Sequence, residues 1–313
     1  MKFIHCLLFS LFTSLSWASD DQSSKEDLTE LLSLNCQTPS VTLHVFSTKL
    51  NPVWMINTTQ IVNIKNVTKK ILKEYDHRQL SPANSTTRIM GYHGFTISCS
   101  PEKEIFIHGL TSLENHLLET GRSHLSPTIL RHVREHLGRS IAVTKYAVLT
   151  RINCDRVPIK GSDKVPVYNP LTGNGGCFVK KQSKNNCYAY GTNIVTNTFP
   201  QPGRYSGSRL SSITCESVRR AAVLDGLVYY GTLIPKGHPK AGHFVALLIW
   251  PNADYHWVRR DANGYWSHKP GAGAITNKDN TGSLITNPAL SNLAPWRIFC
   301  GYYIAQPSKI NIR

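Results

Sequence analysis

The chain has 313 residues, 41% hydrophobic and 17% charged, with Lys+Arg 35 against Asp+Glu 19 for a net charge of +16. That much apolar side chain can bury cores in about two domains. It excludes a wholly disordered chain, and the mixed composition excludes coiled-coil and low-complexity classes. The basic balance is silent on fold and favours anionic partners such as nucleic acid, acidic lipid or a charged cell-wall polymer.

The first residues read as an export signal. Lys2 gives a positive start, an apolar run follows from Cys6 to Leu15, and Ser16-Trp17-Ala18 ends in the small-x-small pattern that signal peptidase accepts. The run is shorter than the ~20 residues of a spanning helix. Residues 1–18 are therefore expected to be a signal peptide, and the protein to be exported, periplasmic or secreted, without an integral membrane anchor. The chain has 8 cysteines. With Cys6 removed, Cys36, Cys99, Cys154, Cys177, Cys187, Cys215 and Cys300 remain, an odd set for an oxidising compartment. One thiol should stay single or bond to another chain.

Residues 41–46 alternate as a strand, Asn51-Pro52 marks a turn, and 59–72 carry Ile61, Ile64, Val67 and Ile71 at helical spacing. Residues 92–97 and 104–108 read as paired strands, and two helices are expected near 112–118 and 127–137. Together these make a small α+β domain over 36–145. Residues 146–176, rich in Pro, Gly, Lys and Asn from Asp155 onward, read as a linker or covering loop. In the remaining half, 177–313, a helix is expected over 187–195 and a second one from Thr214 to Leu224. Strands then crowd together at 228–234, 243–250, 255–260, 265–268 and 296–304. Helices followed by a run of strands predict α+β with a mostly antiparallel sheet.

The chemistry-bearing residues lie in this half. Asn186 is a good helix cap, which places Cys187 in a first helical turn, where a thiol is exposed and its pKa falls. Gly191 lets that helix approach a facing strand closely. His243 opens the strand 243–250 and suits a general base and acid. A third group should accept from its other nitrogen: His256 on the next strand is favoured, with Asp261 the alternative. Period two puts those two on opposite faces, so only one of them can serve.

Asn186-Cys187-Tyr188, Gly242-His243-Phe244-Val245-Ala246 and His256 together resemble the papain-like cysteine hydrolases, in particular the NlpC/P60 and CHAP group. The resemblance covers about 176–313. Asn186 and Tyr188 depart from that group's usual Asp-Cys-Ser/Thr-Gly neighbourhood. The resemblance implies a papain-like fold and a cysteine peptidase or amidase, with cell-wall peptides among its substrates. It also implies catalysis by Cys187 and His243 with His256 or Asp261, without a cofactor.

Two rivals stand beside it. His132-Val-Arg-Glu135-His136 matches the inverted zinc-peptidase string, with two histidines at i and i+4. A non-catalytic exported binding or toxin-like protein would use the basic charge and a face of Tyr188, Tyr190, Trp257 and Trp266. Lys and Arg are scattered and no nucleic-acid motif occurs, so nucleic acid is not an expected partner. Asn57, Asn66 and Asn84 begin glycosylation sequons.

Overall fold

The computed structural model describes residues 28–36, 38–75, 91–100, 103–137 and 152–313. The expected signal peptide at 1–18 and the sequon at Asn84 lie outside them. In the amino-terminal half, helix α1 (28–33) buries Leu28 and Leu31. Strands β1 (Ser40–His44), β2 (Val53–Met55), β3 (Gly94–Ser100) and β4 (Lys103–Ile107) form one antiparallel sheet in the order β2-β1-β3-β4. Alternation selects its inner face, so Val41 and Leu43 are buried while Ser40, Thr42 and His44 are less so.

Helix α2 (Thr58–Tyr75) starts at a reciprocal cap. The Gln60 N–H donates to Asn57 Oδ1 at 2.9 Å, and the Asn57 N–H donates to Gln60 Oε1 at 2.9 Å. Helices α3 (Thr111–Thr120) and α4 (Pro127–Arg134) follow, the latter capped by Ser126.

The carboxy-terminal half carries a five-stranded antiparallel sheet, ordered β10-β9-β8-β11-β7. Its strands are β7 (Val228–Gly231), β8 (His243–Trp250), β9 (Asp254–Arg260), β10 (Trp266–His268) and β11 (Ile298–Ala305). Every residue of β8 is buried, so the sheet is covered on both faces. Val245, Leu247 and Ile249 pack with Tyr188 of α6 (Cys187–Gly191) and with Val218 and Ala222 of α7 (Cys215–Leu224). Phe244, Ala246, Leu248 and Trp250 join a cluster with Val41, Leu43, Phe95 and Leu117. Each Val, Leu, Ile or Phe among them, fully buried, contributes about 1.5–3 kcal/mol. The two halves therefore share one core, and the expected division into 36–145 and 177–313 is not a division in packing. The protein is α+β with antiparallel sheets, as its element order predicts.

The covering segment is lashed down rather than free. Cys154 bonds Cys177 at the start of α5 (Cys177–Lys180), β5 (Ile159–Lys160) pairs with β6 (Ile194–Val195), and Asp163 Oδ1 accepts the Ser308 N–H at 3.0 Å. Cys36 bonds Cys99, and Cys215 bonds Cys300, tying α7 to β11. Cys187 is left free, and it is buried. One local expectation fails. The helix begun at Cys187 ends at Gly191 and not at 195, because Asn193 takes φ +57° and Ile194–Val195 turn out to pair with β5. Among the described residues no helix is long and apolar enough to cross a membrane.

Candidate functional site

Asn186 caps α6 through its side chain, accepting the Ala189 N–H at 3.0 Å, and its amide donates to the carbonyls of Thr48 (3.0 Å) and Pro200 (2.8 Å). A Cβ at Gly191 would stand 3.1 Å from Trp257 Cβ, so the missing side chain sets how closely α6 lies on β9. One turn of helix gives little macrodipole. The sulfur depends instead on its immediate neighbours.

Those neighbours come from the amino-terminal half. Ser47 lies in the turn between β1 and β2, almost fully buried, with its hydroxyl hydrogen-bonded to Cys187 and 2.7 Å from His256 Nδ1. It also accepts the Gly271 N–H at 3.1 Å. Beyond it, His256 Nε2 lies 2.8 Å from His268 Nδ1, and His268 Nε2 lies 3.1 Å from the Lys278 carbonyl. A carbonyl only accepts, so it fixes every hydrogen in the row. His268 carries its hydrogen on Nε2, His256 donates from Nε2 to His268 Nδ1, and His256 Nδ1 is left to accept the Ser47 hydroxyl. Ser47 also reaches the Cys187 sulfur, where a hydrogen bond from its side chain favours the thiolate.

Residues 46–49 are held over the thiol. The Ser47 N–H donates to Asp254 Oδ2 at 2.6 Å, the Thr48 hydroxyl donates to Asp254 Oδ1, and the Gln201 amide donates to the Thr48 carbonyl. Gly271 has φ +48°, and a Cβ there would meet the Phe46 carbonyl at 2.5 Å. Burial raises the Cys187 pKa well above its usual value and nearby Asp254 adds to this, while hydrogen bonds from the Trp257 backbone and the Ser47 side chain, and the charge of Lys269, oppose it. Asp254 itself is pushed up to about 6 by burial. His256 is held well below its ordinary pKa by burial and by His268 and His93. The resting site therefore holds a neutral thiol and neutral imidazoles.

His243 is not part of this row. Its Nε2 donates to the Gly191 carbonyl at 2.7 Å, and its buried Nδ1 has no hydrogen-bond partner among the described residues. Gly191 is the last residue of α6, about 6 Å along the axis from Cys187. In the register of β8 with β9, Val245 lies opposite Arg259, whereas Leu247 lies opposite Trp257, whose backbone reaches the sulfur. His243 thus sits at the far end of the helix from the thiol it was expected to activate. Asp261 is committed elsewhere, accepting from Arg259 Nε at 2.9 Å and from the Ser267 hydroxyl. Of the predicted residues, the fold brings Cys187 and His256 to one hydrogen-bonded row and leaves His243 and Asp261 outside it.

The rivals are corrected in part. Tyr188, Tyr190, Trp257 and Trp266 are all buried, so they form no recognition face. Helix α4 stops at Arg134, and His136 Nδ1 turns back to the His132 carbonyl at 2.6 Å. Among the described residues no group of three or more His, Cys, Asp or Glu side chains is placed to hold a metal ion.

Sequence reasoning missed Ser47, Lys269 and the role of His268. For His268 a signal exists: a hairpin turning at 261–265 pairs Trp266 with Arg260 and His268 with Val258. His268 is then diagonal to His256 on the same face. Nothing local marks Ser47.

The chain is 43% identical to insoluble matrix shell protein 1 of Ruditapes philippinarum over 121 residues, which are 39% of this chain and 79% of that one. No family model matches the chain. No solved structure matches it.

Proposed function

The chain belongs to the family of insoluble matrix shell protein 1, and from that premise and the row running from Cys187 to Lys278 we propose an exported, matrix-associated protein that carries a latent papain-like cysteine peptidase or amidase. The direction of the row favours chemistry over plain packing. Six cysteines pair, and the seventh is kept free beside a serine hydroxyl that reaches an imidazole, which a second imidazole and a carbonyl hold in one tautomer.

In the proposed reaction Cys187 gives its proton to Ser47 Oγ as Ser47 gives its own to His256 Nδ1. This leaves a thiolate and an imidazolium whose Nε2–H rests on His268. The thiolate attacks an amide carbonyl, with the Cys187 backbone N–H stabilising the oxyanion. The C–N bond then breaks, the proton returns along the row to the leaving amine, and water hydrolyses the thioester to restore the thiol. Cys187 and His256 have no exposure, so substrate enters only after Thr48 and Lys49 shift aside while Ser47 stays on His256 Nδ1.

The test is hydrolysis of peptides, isopeptides and peptidoglycan amides by the exported chain and by its Thr48→Ala variant, which loosens residues 48–49. Activity that disappears in Cys187→Ala and in His256→Gln supports the reading. Equal activity in wild type and Cys187→Ala overturns it.

A second reading is a non-catalytic matrix component that binds an anionic polymer through its net charge of +16. It is favoured by the relative's name and by the fully buried, weakly acidic thiol. Salt-sensitive co-sedimentation with an acidic polymer, unchanged in Cys187→Ala and without any hydrolysis, would select it.

A further inference from the structure

Two glycosylation sequons fall on one element, and the thiol row uses neither. Asn57-Thr58-Thr59 opens α2, and Asn66-Val67-Thr68 lies in its middle. Both asparagines are exposed. The sequon at Asn84 lies outside the described residues. All three fall inside the loop that Cys36–Cys99 closes, so this stretch of chain folds where cysteines oxidise.

Each of the two asparagines can carry a substituent on its amide nitrogen without losing a contact. Asn57 caps α2 with its oxygen alone. Its Oδ1 accepts the Gln60 N–H at 2.9 Å, and the return bond runs from the Asn57 backbone N–H to Gln60 Oε1 at 2.9 Å. Asn57 Nδ2 has no hydrogen-bond partner among the described residues, so the cap survives its modification. Asn66 stands about 200° round the helix from both Ile64 and Thr68, at about 3.6 residues per turn. Those two have no exposure and mark the side of α2 that meets the core. The neighbours of Asn66 at i±3 and i±4 are Val62, Asn63, Lys69 and Lys70, and all four are exposed. A bulky sugar on Asn66 would therefore stand in solvent.

Thr68 adds an order of events. The hydroxyl two residues after the asparagine is part of what makes a sequon. In the folded chain it is buried and donates to the Ile64 carbonyl at 2.9 Å. A packed α2 withholds that hydroxyl, and an unpacked one presents it.

We propose that Asn57 and Asn66 are N-glycosylated, with the sugar attached before α2 packs, so that the folded protein carries glycans at the start and in the middle of this helix. The donor is a lipid-linked oligosaccharide. The asparagine Nδ2 bonds to the anomeric carbon of the first sugar, the bond from that carbon to the lipid pyrophosphate breaks, and the pyrophosphate leaves on its lipid. The amide proton passes to a base of the transferase. None of the residues of the thiol row lies on α2, so the proposal stands apart from the peptidase reading.

The test is to secrete the chain from a eukaryotic cell line and treat it with an amide-cleaving glycosidase in heavy-oxygen water, which turns each glycosylated asparagine into labelled aspartate. Label is expected at both 57 and 66, and mapping by peptide scores Asn84 separately. Thr59→Ala keeps the Asn57 cap, and Asn66→Gln changes an exposed side chain. Each should remove one glycan from the intact mass. An unlabelled asparagine at either position in the secreted wild type overturns the proposal.

A second measurement tests the order. Unglycosylated chain is offered to purified oligosaccharyltransferase with its lipid-linked donor, either folded with disulfides intact or reduced and alkylated so that it stays unfolded. Asn66 should be modified faster in the unfolded chain by about tenfold or more, because the folded chain must first open α2. Equal rates in the two forms would overturn attachment before packing.

Discussion

Ser47 Oγ stands 2.7 Å from His256 Nδ1 although 209 residues separate the two in the chain. The amino-terminal half thereby places a hydroxyl between a thiol and an imidazole that the carboxy-terminal half supplies. Since the Ser47 hydroxyl is the proposed proton path, Ser47→Ala should lower kcat for amide hydrolysis about 100-fold or more, the range of a lost acid–base step. Ser47→Thr keeps the hydroxyl and should recover part of the rate. Comparing both in the Thr48→Ala background separates proton transfer from opening. An Ala variant as fast as wild type would remove Ser47 from the path.

His256 and His243 should separate cleanly. His256→Gln should abolish hydrolysis. His243→Asn can still donate to the Gly191 carbonyl, so it should keep kcat/KM within a few-fold and change stability by about 1 kcal/mol, the scale of one hydrogen bond. Steady-state kinetics with urea unfolding of both variants decides this. Loss of activity in His243→Asn at unchanged stability would restore the sequence-based pairing of Cys187 with His243.

That contrast marks what the sequence could reveal. Strand β8 was legible because its eight residues are an almost unbroken apolar run, and α7 because Thr214 caps it and Gly226 follows it. Cys187 was legible as the unpaired thiol from parity and from the Asn186 cap. The base was not, because short motifs record order along the chain and not register between strands. His243 and Arg259 lie by Gly191 and Asn193 at one end of α6, while Asp254 lies by Ser47 and Thr48 at the other, and that follows only from the pairing of β8 with β9. Ser47 was beyond reach, since it arrives through a core shared by two halves that composition had separated.

Residues 48–49 should control access to the thiol. They are tied through Asp254 and through the Thr48 carbonyl, so Thr48→Ala removes one hydrogen bond to a carboxylate and leaves the others. Loss of about 1–1.5 kcal/mol should raise the opened population, and with it the iodoacetamide labelling rate of Cys187, about fivefold to tenfold. Labelling is read by mass spectrometry on intact chains, the disulfides leaving Cys187 as the free cysteine among the described residues. A rate unchanged in Thr48→Ala would mean that substrate reaches the sulfur by another route.

Buried histidines should make the fold acid-sensitive. Burial lowers the pKa of His243 from 6.5 to about 3, with Arg259 adding to the effect, and lowers His93 to about 3 and His44 to about 4. Between pH 6.5 and those values the unfolded chain binds protons that the folded chain refuses. Stability therefore falls as pH drops, by about 1.4 kcal/mol per pH unit for each such histidine. Asp254 runs the other way: its folded pKa of about 6 exceeds 3.8, so it recovers some stability between those values as pH falls. Lys269, drawn from 10.5 to about 7, adds a rise in stability with pH between 7 and 10.5. Urea midpoints should thus decline steeply below pH 6.5 and climb gently above pH 7. In His243→Asn the acid slope should lessen by about one proton, because an amide does not titrate there. A midpoint that stays level from pH 6.5 to 4 in wild type would show that these imidazoles accept protons without unfolding.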